Sequence, residues 1–524
     1  MTQKFIPTNP EALKYENGVL KLTVLGGIKL EGLDRLRATM KVELTESPRP
    51  PVRHNLDLYN DNQLEKFIRK CAEKLEVGTS VLAASLSELT THLETYRLDE
   101  MEKLRSIEQI ERHPLSSSER KAAVNYGSAA NLMERTMKDL GASGIIGEEI
   151  NAMILHLAMT TRQMPTPVSV ICLAKSGLGK SYLMEMVAKC HPQWLIKDQM
   201  QFSGNSLYYF DKEELRHIVI LIEDLHGAQQ VLFPVRELIT KKKIKKTVVA
   251  KDKNGRLKTI TIIVEGPVSV IACTTDERLY TDNENRVLLI HLDGSKAQDK
   301  RIMDYQKKQK ANLIDEVIEE KVRAKLQGLQ QVLSPIKVVN PYAMLIDLPP
   351  SVFTQRRTLP LLLNFIDGIT FYHQLQREQK VEKDGGEVFI ETHPTDIEWG
   401  FKLLRAVIFR KSDELTGSLR DFYEWLLLWS EESKLKTFYS SDVRKDKRIA
   451  PRTLRHYLNQ LADYGYIEKV KGKRFGVGHQ YQILQGFGGK QLEAKIDEHI
   501  KIVMDKVNKA HKAKATQKQK KTAK

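Results

Sequence analysis

The sequence predicts a multidomain α/β chain, and three observations predict it. At 524 residues the chain is too long for one hydrophobic core, which points to about three domains. Between about residue 116 and residue 415, strand-sized apolar runs alternate with helical stretches, as a parallel sheet with crossover helices requires. On either side the pattern changes, to short alternating β runs before it and a smaller helix-and-hairpin segment after it.

Composition narrows the class. Hydrophobic residues at 41% and charged residues at 29% describe a globular chain and exclude fibrous and wholly disordered ones. The balance of 83 Lys and Arg against 67 Asp and Glu leaves a net charge of +16, which favours polyanionic partners. Cys71, Cys172, Cys190 and Cys273 show no C-x-x-C spacing, so neither disulfides nor zinc are expected. Residues 1–10 lack an apolar signal core, and runs such as Ile218–Ile222 are strand-sized, so a cytoplasmic protein is expected.

From Gly18 to Glu46 apolar residues alternate (Leu20, Leu22, Val24; Met40, Val42, Leu44), which predicts a small β element. After Pro48, Pro50 and Pro51, helical spacing covers Asp61–Leu75 and Ser80–Glu94, with Leu82, Leu86, Leu89 and Leu93 on one face. Residues 1–115 are thus expected to form an α+β domain of unassigned role, ending near His113-Pro114, where Ser116–Ser118 followed by Glu119 looks like a helix cap.

The next domain, 116–415, carries the chemistry. The buried run Val168–Leu173 leads into Ala174-Lys-Ser-Gly-Leu-Gly-Lys-Ser181 and then a helical Tyr182–Lys189. Small residues let backbone N–H groups close round phosphates, and the helix start adds partial positive charge. Ser176, Gly177, Leu178, Gly179, Lys180, Ser181 and Tyr182 are the expected nucleotide contacts, with Lys180 on the β- and γ-phosphates and the Ser181 hydroxyl on Mg²⁺. Ala174 stands where the G-x-x-x-x-G-K-[ST] pattern has its first glycine.

A second apolar strand, His217–Ile222, ends in Glu223-Asp224, forty-three residues after Lys180. Carboxylates at a buried strand end are costly unless a cation or water satisfies them. They are therefore the candidate Mg²⁺ and water-activating pair, in the order opposite to the usual Asp-Glu, so the division of roles stays open. The bland alternative is a helix N-cap.

Beyond it lie a helical Ala228–Thr240, the basic run Lys241–Lys246, and two β runs, Thr247–Lys251 and Arg256–Val264, joined through Asn254-Gly255. Another core strand, Val268–Cys273, ends in Thr274-Thr275. A hairpin at 247–264 just before that strand resembles the pre-sensor-1 hairpin of AAA+ DNA helicases, the papillomavirus-type superfamily 3 more than the MCM group. The stretches Phe202–Phe210, Ile222–Ala228 and Arg236-Glu-Leu238 look like the ATPase region of replication proteins of bacterial phages and conjugative elements.

The resemblance covers roughly Ser116 to Phe409 and implies an AAA+ core with a helical lid, fed by ATP and Mg²⁺. It further implies Thr275 as the γ-phosphate sensor, Arg286 as an arginine finger acting on a neighbouring subunit, and Arg356 or Arg357, opening a helix Leu359–Phe371, as the second sensor. A homo-hexameric ring around DNA follows from it, with primase or other replication proteins as further partners. Lone surface arginines and strand-end threonines have plainer uses, as solvated side chains and satisfied hydroxyls.

Lys251, Lys253, Arg256 and Lys258 crowd the hairpin and are expected to grip backbone phosphates without reading bases. Residues 416–486 are expected to form a winged helix, with Arg452 and Arg455 facing out of the recognition helix Pro451–Tyr464 and Lys473 and Arg474 on the wing. The final segment, 487–524, is expected to be a disordered basic tail, because residues 506–524 hold eight Lys and no acid. The function expected is thus a DNA helicase or translocase. A helicase loader or initiator, and a defence or regulatory ATPase with a protein-docking winged helix, stand as alternatives.

Overall fold

A computed structural model of the chain describes all residues except 1–3, 8, 30–34, 46, 48, 109–111, 199–205, 209, 226–228, 252–256, 276–285, 383–385, 413–414, 416, 436, 475–477, 485–488 and 523–524. The chain divides into two compact units, residues 1–112 with 249–260, and residues 113–248 with 261–524.

In the first unit, β1 (Lys4–Ile6), β2 (Ala12–Glu16), β3 (Leu20–Leu25), β4 (Arg37–Leu44) and β5 (Val52–Asp57) pair in sequence order as an antiparallel sheet. Alternation puts Leu13, Tyr15, Leu20, Leu22, Val24, Met40 and Val42 on one buried face, packed on Phe67, Cys71 and Leu75 of α1 (Asp61–Leu75) and Leu82, Leu86, Leu89 and Leu93 of α2 (Thr79–Glu108). Asn60 caps α1 by accepting from the Gln63 N–H.

The second unit opens with three helices, α3 (Ser117–Gly127), α4 (Leu132–Ala142) and α5 (Glu149–Thr160). Ser116 and Glu119 form the expected capping box at α3. Every residue of α5 from Ala152 to Thr160 is buried. It runs beneath a parallel sheet made of β6 (Val170–Leu173), β7 (Ile196–Asp198), β8 (Ile218–Ile222), β11 (Val268–Thr274) and β12 (Leu288–His291). The order across the sheet is β12-β6-β11-β8-β7, so β11 lies between the strand that leads into the glycine loop and the strand that ends in Glu223. The strands read as unbroken apolar runs because both faces are covered.

Helix α6 (Lys180–Ala188) follows the glycine loop, and α7 (Gln229–Lys241) follows β8. Two strands, β9 (Lys243–Lys251) and β10 (Leu257–Glu265), then pair as a separate two-stranded sheet before β11. The hairpin starts earlier than the expected 247, since the Lys241–Lys246 run supplies its first strand. After β12 come α8 (Lys296–Lys310), α9 (Glu316–Val332), β13 (Lys337–Val339), α10 (Gln355–Tyr372), β14 (Lys380–Val381), β15 (Val388–Glu391) and α11 (Pro394–Ser412).

The C-terminal part of this unit has α12 (Gly417–Ser433), β16 (Thr437–Tyr439), α13 (Ser440–Asp446), α14 (Pro451–Asp463), β17 (Ile467–Arg474) and β18 (Gly478–Ile483). The three strands form an antiparallel sheet in the order β16-β18-β17, and Pro451 opens α14 with Leu454, Leu458 and Leu461 inward.

The final segment corrects the expectation of a disordered tail: residues 489–522 form one helix, α15 (Gly489–Thr522). Its buried Ile496, Val503 and Val507, with Leu492, Ile500 and Met504 half-buried beside them, join the core cluster that includes α11. Arg405 of α11 fixes the contact through Asp497 (2.7 Å) and Glu493 (3.1 Å). The lysine-rich end continues a helix that its apolar first half has already anchored. Among the described residues no helix is long and apolar enough to cross a membrane.

Candidate nucleotide site

All five sheet strands run parallel, so their C-terminal ends share one edge, and the site is built there. β6 ends at Leu173, and the chain turns through 174–179 before α6 starts at Lys180. Gly177 (φ +83°) and Gly179 (φ +82°) are left-handed, and nothing lies within 4 Å of a Cβ added to either. Glycine is needed there for backbone conformation rather than for room. Ala174 is not among the positive-φ residues, which explains why the loop dispenses with a glycine at that position. The Lys180 ammonium arches back over the loop, donating to the carbonyls of Ala174 (2.9 Å) and Lys175 (2.9 Å). Tyr182, half exposed on the first turn of α6, donates to the Gly144 carbonyl at 3.0 Å.

Glu223 and Asp224 follow β8 at the same edge, Glu223 partly buried and Asp224 exposed. Burial raises the Glu223 pKa, and the negative charges of Asp198 and Glu185 raise it further. Asp198, at the end of β7, is raised by its own burial and by Glu185. Sequence reading missed these two acids; the only signal was their position, Glu185 five residues after Lys180 and Asp198 at a strand end. Thr274 is buried at the end of β11, and Thr275 lies exposed beside it, on the wall of a cavity of about 660 Å³.

That cavity runs from the glycine loop (Lys175, Leu178) past the end of β12 (Asp293, Gly294) to Glu148 and Asn151 at the start of α5 and Arg410 of α11. Glu148 accepts from the Asp293 N–H (2.8 Å) and from the Asn151 amide (2.6 Å), and burial raises its pKa. Arg356 and Arg357, proposed as the second sensor, sit exposed on the first turn of α10, and neither lines this cavity. The arginine that does is Arg410, which sequence reasoning passed over.

Arg286 lies at the opposite end of the sheet. It precedes β12, whose register sets His291 beside Leu173, so Arg286 is about five residues, or about 16 Å, from the loop edge. Its Nη1 donates to Thr240 Oγ1 at 2.6 Å, beside a small apolar notch formed with α7. An arginine side chain cannot span that distance to the loop of its own chain.

Of the proposed nucleic-acid contacts, Lys253 and Arg256 lie outside the described residues, while Lys251 and Lys258 belong to β9 and β10. Arg452 and Arg455 are exposed on α14, and Lys473 and Arg474 fall in β17.

Residues 118–328 match the family model described as the MTBMA_p00010 P-loop domain. This stretch is a P-loop domain. It spans the loop, both strand-end threonines, Glu223 and Arg286, and a P-loop domain implies nucleotide binding. No curated protein matches the chain.

The residues fit a nucleotide with Mg²⁺. The loop presents backbone N–H groups at a helix start, Lys180 supplies a positive charge that donates to two loop carbonyls, and Glu223, raised by burial and then by the charges of Asp198 and Glu185, is a carboxylate that a cation would relieve. Among the described residues no cage of three or more His, Cys, Asp or Glu is present. Mg²⁺ needs none, because it is held by one or two carboxylates, a hydroxyl such as Ser181, waters and the phosphates themselves.

Proposed function

We propose that the chain is an ATP-driven, ring-forming DNA helicase or translocase serving replication of a mobile genetic element. The observation that carries this reading is the hairpin β9–β10, placed between the Glu223 strand and the Thr275 strand and fed by a run of lysines. A lever so placed moves when the strand-end groups sense hydrolysis, and its charge suits a phosphate backbone. The segment from α12 to β18 has the helices and three-stranded sheet of a winged helix, with Arg452 and Arg455 outward on α14.

In this reading Lys180 holds the β- and γ-phosphates, and Glu223 or Asp224 orients the attacking water. Thr275 contacts the γ-phosphate. Bound Mg²⁺ would supply charge neutralisation between the phosphates. Water adds to the γ-phosphorus, the bond to the bridging oxygen breaks, and ADP leaves with its negative charge. Arg286, too far from its own loop, serves the neighbour's. The need for a finger in trans makes the active unit an oligomer, taken here as a hexamer.

Unwinding of a forked duplex by the purified chain with Mg-ATP is the test. Wild type is expected to unwind it, and the double substitution Lys253→Ala, Arg256→Ala to lose unwinding together with DNA stimulation of hydrolysis. On single strands the salt dependence of binding should flatten by about 0.7 in log–log slope for each phosphate that the variant no longer neutralises. ATP-dependent assembly on DNA without unwinding would favour a loader, and hydrolysis indifferent to DNA would favour a regulatory ATPase.

A further inference from the structure

The cavity beside the glycine loop has a wall that the P-loop domain does not supply. Ser418 and Asp421 of α12 line it together with Arg410 of α11 and Lys175 of the loop. The Arg410 guanidinium is incompletely used. Its Nη1 is enclosed and meets no hydrogen-bond acceptor among the described residues, while its Nη2 faces Asp421 at 3.7 Å. That ion pair is long, and the Asp421 side chain is 67% exposed, so solvent screens it.

Arg410 nevertheless acts on the cavity. His291, on the β12 wall, has its pKa lowered to about 4, chiefly by burial and then by the Arg410 charge. Lys447 lies over the Trp425 ring of α12 at 4.4 Å, and its ammonium is disfavoured first by burial, with Asp421 opposing and Lys175 adding to that effect. Asp421 therefore answers to two cations, Arg410 and Lys447, where the loop and the C-terminal helices meet, and Lys175 adds its positive charge nearby.

We propose that Arg410 and Asp421 form an exchangeable latch: a phosphate of the bound nucleotide takes Arg410 from Asp421 and so unseats α12 from the nucleotide cavity. The inference rests on the nucleotide reading of the loop. An arginine with an idle, desolvated N–H gains most from a phosphate, which accepts two charge-assisted bonds at once. Asp421 then faces a phosphate across the same cavity without its pairing to Arg410, and like-charge repulsion moves it outward. Nucleotide occupancy is in this way reported to the helices and sheet that follow α12. Arg410 acts as a nucleotide contact, and Asp421 as the group it is exchanged against.

The test uses the full chain, a fluorescent non-hydrolysable ATP analogue with Mg²⁺, and hydrogen exchange of residues 417–433. In wild type the analogue is expected to bind and to speed exchange in 417–433. Asp421→Asn should show fast exchange without nucleotide and bind the analogue several-fold tighter, because the competitor for Arg410 is gone. Arg410→Ala should bind roughly ten- to a hundredfold more weakly, the usual cost of removing a charged hydrogen bond, with exchange in 417–433 insensitive to nucleotide, and Arg410→Lys should recover part of the affinity. Lys180→Ala separates the two readings. If wild type binds and Lys180→Ala does not, yet Arg410→Ala binds like wild type or exchange in 417–433 ignores the analogue, the latch is wrong and the loop assignment stands. If wild type itself fails to bind, both are wrong. Should Arg410→Ala prove unfolded, unchanged affinity and exchange in Asp421→Asn overturn the latch by itself.

Discussion

At the starting end of the central sheet, short polar side chains sew the strands to α5. Ser269 donates to the carbonyls of Ala158 (3.0 Å) and Val168 (2.8 Å), Ser169 accepts from the Val270 N–H (3.1 Å), and Thr161 accepts from the Val168 N–H (2.8 Å). His217 Nδ1 donates to the Arg162 carbonyl at 2.9 Å, and Arg162 itself, 1% exposed, donates to Gln330 at 3.0 Å. At the finishing end of the same strands charged, partly exposed groups gather instead: Lys180, which donates to two backbone carbonyls, and the carboxylates Asp198, Glu223 and Asp224.

The difference teaches how one sheet serves two purposes. Neutral hydroxyls and amides that satisfy one another give a rigid base, because in a low dielectric an unmet partner is costly. Charges that the fold leaves partly exposed give a binding edge, because a ligand can still reach and pair with them. His156 and His191, their rings tilted with centroids 4.6 Å apart, are held neutral by burial, His156 with its pKa lowered to about 3.

The comparison breaks first, if it breaks, on catalysis. Arg286→Ala should cut hydrolysis by about 10³-fold or more while nucleotide still binds, and Lys180→Ala by roughly 10²–10³-fold, both without loss of thermal stability. Mixed, the two variants should recover part of the activity, since one keeps a finger and the other a pocket. A steady-state ATPase assay of the mixture decides it, and full activity of Arg286→Ala alone would end the shared-site idea.

The rigid end should respond in stability instead. Gln330→Ala leaves a buried guanidinium short of an acceptor and is expected to cost about 1–3 kcal/mol in urea unfolding, with ATPase per folded molecule unchanged. Ser269→Ala should cost about 1 kcal/mol in the same measurement. A larger loss of ATPase than of stability in either variant would mean that the two ends are not separable.

The last effect concerns acid. Unfolded His156 and His191 take up protons near pH 6.5, whereas the folded forms refuse them far lower. Their contribution is therefore complete above about pH 6.5 and falls away as pH drops below it, for His156 until about pH 3, at about 1.4 kcal/mol per pH unit for each group still neutral in the fold. Replacing both by Gln should flatten that part of the stability profile, and an unaltered profile would assign the acid sensitivity to other groups.

The sequence alone determined whatever is local. The glycine loop, the strand before it, the capping box at Ser116, the Glu223 strand and the hairpin are each written in a few neighbouring residues whose backbone needs or burial pattern admit one reading. Only the tertiary structure decided the rest. Glu185 and Asp198 become functional candidates because a helix and an edge strand bring them to Glu223, and Arg410, rather than Arg356 or Arg357, reaches the cavity because α11 packs along it. The lysines after residue 506 gave no hint that α15 would be anchored by Ile496, Val503 and Val507. Burial depends on what another element offers to cover, and no window of sequence contains its partner.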